Sequence, residues 1–335
     1  MEIVDTKQSD ILKDWSLDRK WLSEFEARLD SIEVVTFDVF DTALTRTLDT
    51  PVDVFALIEK RLTDAHGAMF AGYAVKREDA EKTARHKAGA CGRREIGFDE
   101  ILDVLLSENR CFCSFRQVLA DTEFEAERDV CFAVPEIKAA VRICIKRGIR
   151  VLFVSDMYLP ECVIRDLLER VGYAVPDLLV SCETGCVKSD GTQWPVVRTV
   201  TGQNSRVLHI GDNEWSDGVK ALEAGFEVLI FERARSDHRR GGPLTPDILP
   251  FSRLLRATML SAAPGAGHPD CTVQPPDRTM ARLGASWGAI VAGSYVRWIA
   301  ARARTMGLTH IYFCARDGWL VQRAWQAAGL VSDRK

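Results

Sequence analysis

Val34-Val35-Thr36-Phe37-Asp38-Val39-Phe40-Asp41-Thr42 is the stretch on which the fold turns. Its β-branched and aromatic run closes on a carboxylate. That is the pattern of a buried parallel strand delivering its last side chain to the carboxyl edge of a sheet, where open α/β folds bind ligands. Later polar positions follow apolar runs in the same way: Val151-Leu152-Phe153-Val154-Ser155-Asp156, then Lys188 after Cys186-Val187, and Val207-Leu208-His209-Ile210-Gly211-Asp212-Asn213-Glu214-Trp215-Ser216-Asp217.

Working outward, strands and helices alternate. Helices are expected over Pro135 to Lys146, Pro160 to Val171 and Asp217 to Ala224, each closed by a glycine, with strands at Ile32 to Phe37, Val151 to Val154, Leu178 to Ser181, Val207 to Ile210 and Glu227 to Phe231. This predicts an α/β fold, a doubly wound parallel sheet of Rossmann-like type with helices on both faces. Residues 50–132 interrupt it with helical patterning only and are expected to form an inserted all-helical cap, so that the core comprises 32–49 and 133–250. An amphipathic leading helix is expected within 1–31, covering part of the core. Pro264, Gly265, Gly267, Pro269, Pro275 and Pro276 mark 262–279 as a linker. Beyond it, residues 280–335 read as a helix-strand-helix extension, with the strand at Ile311 to Cys314. It is too small to enclose its own core, so it either docks on the preceding domain or is part of a longer unit.

The 335 residues are 47 % hydrophobic and 27 % charged, with a net charge of -4, an ordinary globular balance. The one basic cluster, Arg233 to Arg240, is diluted by Asp237 and flanked by Glu232. No nucleic-acid footprint emerges. No apolar run reaches membrane-spanning length; the best, Trp287 to Ala300, is cut by Ser294 and Arg297 and reads as a buried core helix. Ten irregularly spaced cysteines and an acidic N-terminus without leader character point to a cytoplasmic protein with reduced thiols.

The four segments resemble, in order, the four signature motifs of the haloacid dehalogenase (HAD) superfamily, mostly phosphohydrolases, over about residues 32 to 232. The resemblance implies Asp38 as nucleophile, forming an aspartyl-phosphate, and Ser155 and Lys188 as the groups that hold the phosphoryl oxygens. It also implies Mg²⁺, held by Asp38, the main chain of Phe40 and Asp212, with Asp217 as a ligand or just behind one. Thr42, Asp156 and Asn213 lie beside these positions and are candidates for substrate contact. Singly, each segment could be a cap or a turn; jointly, turn formation does not ask for Lys188 between them.

One departure matters. Phosphatases of this superfamily carry a second Asp two residues after the nucleophile to protonate the leaving group, and this chain has Phe40 there, which cannot transfer a proton. Asp41 replaces the usual glycine and is the possible substitute, alongside a cap residue, water or the substrate. An apolar residue at this position looks like the dehalogenase and phosphonatase branches, whereas keeping both Asp212 and Asp217 favours phosphoryl chemistry. The expected function is therefore a Mg²⁺-dependent phosphohydrolase of a small phosphorylated metabolite. A dehalogenase-like hydrolase, or a weakly active phospholigand-binding accessory module in glycan biosynthesis, are the alternatives. The second motif and the tail Tyr312-Phe313-Cys314-Ala315-Arg316-Asp317-Gly318 also resemble a narrower group of predicted HAD hydrolases found near or fused to glycosyltransferases. That likeness implies a sugar-phosphate setting and a glycosyltransferase partner. Substrate choice is expected in the cap, where Arg77, His86, Lys87, Arg93 and Arg94 could meet a second anionic group or could simply be solvated helix residues.

Overall fold

The computed structural model describes residues 18–46, 48, 50–232, 234, 288–314 and 316–330. Those up to 234 lie in one compact unit and those from 288 in another.

The first unit is built on a five-stranded parallel sheet, β1 (Val34–Asp38), β4 (Arg150–Ser155), β5 (Asp177–Val180), β6 (Val207–Gly211) and β7 (Glu227–Ile230), in the order β5-β4-β1-β6-β7. The chain moves outward from β1 through β4 to β5, then returns to the other side of β1 for β6 and β7. Because the connections run outward from β1 in opposite directions, a switch point lies between β1 and β6. All five residues of β1 and of β6 are buried, as the continuous apolar runs require of strands covered on both faces.

Helix α1 (Arg19–Arg28) is capped by Asp18, whose carboxylate accepts from the Lys20 and Trp21 amides. It buries Phe25 against Phe37. Burial of a side chain of that size stabilises by about 1.5–3 kcal/mol. The leading-helix positions before Asp18 lie outside the described residues, as do the linker 262–279 and most of the basic cluster.

After β1 the chain runs through β2 (Leu44–Arg46) into four helices, α2 (Asp53–His66), α3 (Tyr73–Ala90), α4 (Phe98–Glu108) and α5 (Arg116–Val130), and returns through β3 (Cys131–Ala133). β2 and β3 pair antiparallel as a short neck that the sequence pattern had not indicated. A strand of three residues carries too little alternation to stand out.

The crossovers α6 (Pro135–Lys146) and α7 (Glu161–Arg170) then follow the expected order, and a third helix, α8 (Gln193–Thr201), comes after them. α6 begins on Pro135, buries Ile137, Ala140, Val141 and Cys144, and is followed by Gly148 in the left-handed region at φ 70°. α8 was not foreseen. It packs Trp194 and Val197 against Val34, Leu152, Val154 and Phe226. In place of one helix from Asp217 to Ala224, residues Glu214–Val219 form a wider π-type turn that continues into a short α-turn, Lys220–Glu223. Such wide turns recur at functional sites.

In the second unit, α9 (Ala289–Thr305) and α10 (Asp317–Ala327) lie against each other. Val296 and Ala300 are buried while Val291, Tyr295 and Trp298 are exposed, so this is not the wholly buried core helix expected from its apolar run. Residues Ile311 to Cys314 form no strand, contrary to expectation. A strand needs a partner, and no described residue of this unit supplies one. No helix among the described residues is long and apolar enough to cross a membrane.

Candidate active site

Parallel register assembles the site. Asp38, last in β1, pairs with Val154, so Ser155 stands one residue further along the adjacent strand; on the other side Phe37 pairs with Ile210, so Gly211 and Asp212 follow beside it. The sheet thus carries Asp38, Ser155 and Asp212 to one edge, at the switch point where such folds open a crevice.

Lys188 reaches this edge from the loop after β5. Its backbone N–H donates to both carboxylate oxygens of Asp156, at 3.0 and 2.8 Å, and its ammonium donates to Asp38 Oδ1 at 2.5 Å and Asp217 Oδ1 at 2.6 Å. Asp156 therefore acts on the loop that carries Lys188. Ser155 and Lys188 are both buried.

Asp38, Asp212 and Asp217 each offer a carboxylate oxygen within 4.8 Å of the others. Burial pushes Asp38 up to about 7, with Lys188 opposing and Asp217 reinforcing the rise. Burial likewise pushes Asp212 up to about 8, reinforced by Asp38, Asp217 and Asp41. Asp217 is the exception. Burial disfavours its charge, yet Lys188 and His209 together hold it well below the usual carboxylate range. One ammonium thus faces three acids and is bonded to two of them, Asp38 and Asp217.

The carboxylates differ in what remains available. Asp217 is saturated: Oδ1 accepts from Lys188 and from His209 Nε2 at 3.1 Å, and Oδ2 from the Asn213 amide at 3.1 Å and Ser216 Oγ at 3.4 Å. Asp38 Oδ2, buried, has no hydrogen-bond partner. A buried acceptor without a donor costs about 1–3 kcal/mol. That orphan oxygen, the surplus negative charge and the all-oxygen donor set fit a hard divalent cation such as Mg²⁺ better than a soft metal.

The loop after β1 folds back sharply, with Leu44 N–H donating to Val39 O at 2.7 Å. Asp41 sits in it at φ 57°, a left-handed conformation that Asp tolerates better than most residues, in the position where the resemblance led one to expect glycine. Its carboxylate accepts from Thr45 Oγ1 at 3.2 Å. Phe40 lies under the Arg46 guanidinium, 4.2 Å from the ring centroid, and Arg46 is gripped by Glu127 of α5 at 2.8 and 3.0 Å. Thr42 is fully buried on the same loop.

Other candidates are placed differently from expectation. The Asn213 side chain caps the π-type turn, accepting from the Trp215 and Ser216 amides. Arg93 is bidentate to Glu100 within the insertion. Arg94 pairs with Asp190, two residues past Lys188, so it joins the insertion to the rim of the site. Arg77 is a correction: it is fully buried in a pair with Glu123 and cannot meet a substrate. His86 and Lys87 are exposed on α3. Arg316 and Asp317, in the second unit, are exposed at the start of α10.

Sequence reading missed Thr36 and His209, which sit at paired positions of β1 and β6. A signal existed. Thr36 shares a strand face with Asp38, and His209 with Gly211, because side chains alternate. It also missed Glu95 of the insertion, which accepts from Ser181 Oγ at 2.8 Å across to the sheet unit.

No protein-family model and no curated protein matches the chain. Among solved structures, the 2-haloacid dehalogenase from Pseudomonas syringae pv. Tomato DC3000 is similar at 19 % identity and a TM-score of 0.43, over 65 % of this chain and 92 % of that one. The L-2-haloacid dehalogenase from Xanthobacter autotrophicus is similar at 14 % identity and a TM-score of 0.40, over 62 % and 80 %. A protein described as a predicted phosphoglycolate phosphatase from Haemophilus somnus 129PT is similar at 12 % identity and a TM-score of 0.36, over 60 % and 85 %.

Proposed function

We propose that the chain is a Mg²⁺-dependent phosphohydrolase of a small phosphorylated metabolite, working through a phosphoryl group transiently carried by Asp38. The observation behind this reading is the meeting of Asp38, Asp212 and Asp217 within 4.8 Å around the buried ammonium of Lys188. Carbon-halogen cleavage has no use for such a surplus of hard oxygen donors; a phosphoryl group with its cation does.

Asp38 and Asp212, with the main-chain carbonyl of Phe40, would hold Mg²⁺, which supplies charge neutralisation for the phosphate oxygens. Lys188 and Ser155 bind phosphoryl oxygens, and Asp156 fixes the loop from which Lys188 projects. The Asp38 carboxylate attacks phosphorus as the bond to the leaving oxygen breaks. The leaving oxygen takes a proton from Asp41, the one acid on the returning loop besides Asp38, and departs as an alcohol. Water then attacks the aspartyl-phosphate, giving a proton back to Asp41 and releasing inorganic phosphate and free Asp38. A sugar phosphate in glycan assembly, with a glycosyltransferase as associate, is the setting this reading favours, from the tail around Arg316-Asp317-Gly318.

The test is a panel of sugar phosphates and an activated aryl phosphate, with and without Mg²⁺, run on the wild type and Asp38→Asn. Metal-dependent phosphate release that disappears in Asp38→Asn is expected. Metal-independent turnover, turnover surviving that substitution, or halide release from a haloacid without metal would overturn the proposal.

A further inference from the structure

We infer that Thr36 and His209 form a buried relay that positions Asp217 and, through it, the Lys188 ammonium against Asp38. Thr36 and His209 are paired across β1 and β6, and both are fully buried. Both ring nitrogens are engaged: Nδ1 lies 2.8 Å from Thr36 Oγ1 and Nε2 lies 3.1 Å from Asp217 Oδ1.

The direction of each bond follows from what each atom can do. An ionised carboxylate only accepts, so Nε2 must carry the hydrogen and donate to Asp217. The neutral ring then has a bare Nδ1, which accepts the Thr36 hydroxyl hydrogen. The Trp194 ring meets the imidazole edge-on at 4.7 Å and fixes its plane.

Asp217 is clamped from a second direction. A Cβ on Gly211 would come within 2.4 Å of Asp217 Cβ and Cγ, so the carboxylate lies flat against the β6 backbone. The His209 N–H and the Lys188 ammonium share Oδ1, one from each side. His209 touches neither Asp38 nor any reacting atom; it is a positioning residue, and Thr36 sets its tautomer.

The kinetic arm of the test rests on the phosphoryl-transfer reading, and the spectroscopic arm does not. In the full chain labelled with ¹⁵N-histidine, long-range ¹H–¹⁵N correlation at neutral pH should show one ring with a protonated Nε2 and a hydrogen-bonded, unprotonated Nδ1. Thr36→Val, close to isosteric, should shift that Nδ1 resonance toward the free value and leave the other rings unchanged. An Nδ1–H tautomer, an imidazolium, or no response to Thr36→Val overturns the relay. Kinetically, His209→Phe keeps the ring volume without a donor and should lower kcat about 10- to 100-fold with KM within about twofold, the range typical of removing such supporting bonds. His209→Gln, whose amide can donate to Asp217, should restore part of the loss. A folded His209→Phe with wild-type kcat would also overturn the relay. A wild type without phosphatase activity would remove the proposed function, and the relay would then stand or fall on the tautomer.

Discussion

Replacing Glu123 by Gln offers a sharp test of how the helical insertion is held. Glu123 of α5 and Arg77 of α3 are both fully buried and bonded at 2.9 and 2.7 Å, and Tyr158, which follows β4, donates to Glu123 Oε1 at 3.2 Å. Burial pushes Glu123 up while Arg77 pulls it down. The intact pair therefore has a modest net worth, and breaking it is what costs. Gln is nearly isosteric, but whichever oxygen becomes NH₂ then faces an Arg77 N–H, and Arg77 cannot shed its charge. Leaving one partner of a buried pair uncompensated costs about 3–5 kcal/mol. Glu81, whose Oε2 lies 3.4 Å from Arg77 Nη1, and the rings of Phe55 at 4.7 Å and Tyr158 at 5.0 Å from the guanidinium offset part of that. A desolvated cation–π contact is worth up to about 2 kcal/mol. The expected loss is about 2–4 kcal/mol, which at about 2–4 °C per kcal/mol for a unit of this size lowers Tm by roughly 4 to 16 °C. Thermal and urea unfolding measure it. The double variant Arg77→Met/Glu123→Leu should regain most of the loss, because an apolar pair replaces a buried ionic one at little cost. A Glu123→Gln protein within about 0.5 kcal/mol of the wild type, the range usual for surface substitutions, would refute the reasoning. So would a double variant no more stable than the single one.

Further expectations concern the acid cluster. Asp38 and Asp212 are pushed up to about 7 and about 8, so the metal-free fold holds protons that the unfolded chain would release. Its stability should therefore fall as pH rises through 7 and 8, and Mg²⁺ should restore it; urea unfolding with and without the ion checks the sign. In the same window Mg²⁺ affinity should rise with pH, since the ion displaces protons, and calorimetry in two buffers should detect their release. Gly211→Ala would drive a methyl into Asp217, and the overpacking should cost about 1–3 kcal/mol in urea unfolding while abolishing phosphate release. Asp41→Gly keeps the left-handed backbone and removes only the carboxyl group. It should lower kcat about 100-fold on an alkyl phosphate and little on an activated aryl phosphate, which needs no proton; equal effects on both would remove Asp41 as the acid.

The order of the sheet elements was legible in the chain. β1, β4 and β6 are apolar runs ending in polar residues, and α6 is bounded by Pro135 and Gly148; such local punctuation survives in any tertiary setting. Asp38, Ser155, Lys188 and Asp212 could be picked out for the same reason, each closing a strand or lying just past a strand or turn. Which of them touch, and on which atom, was not legible. The sharing of Lys188 between Asp38 and Asp217, the Thr36–His209 pairing and the withdrawal of Arg77 into a buried pair all join residues tens to hundreds of positions apart. Strand register and helix packing create those contacts, and hydrogen-bond geometry over a few ångströms is a property of the folded arrangement. Local periodicity carries no record of it.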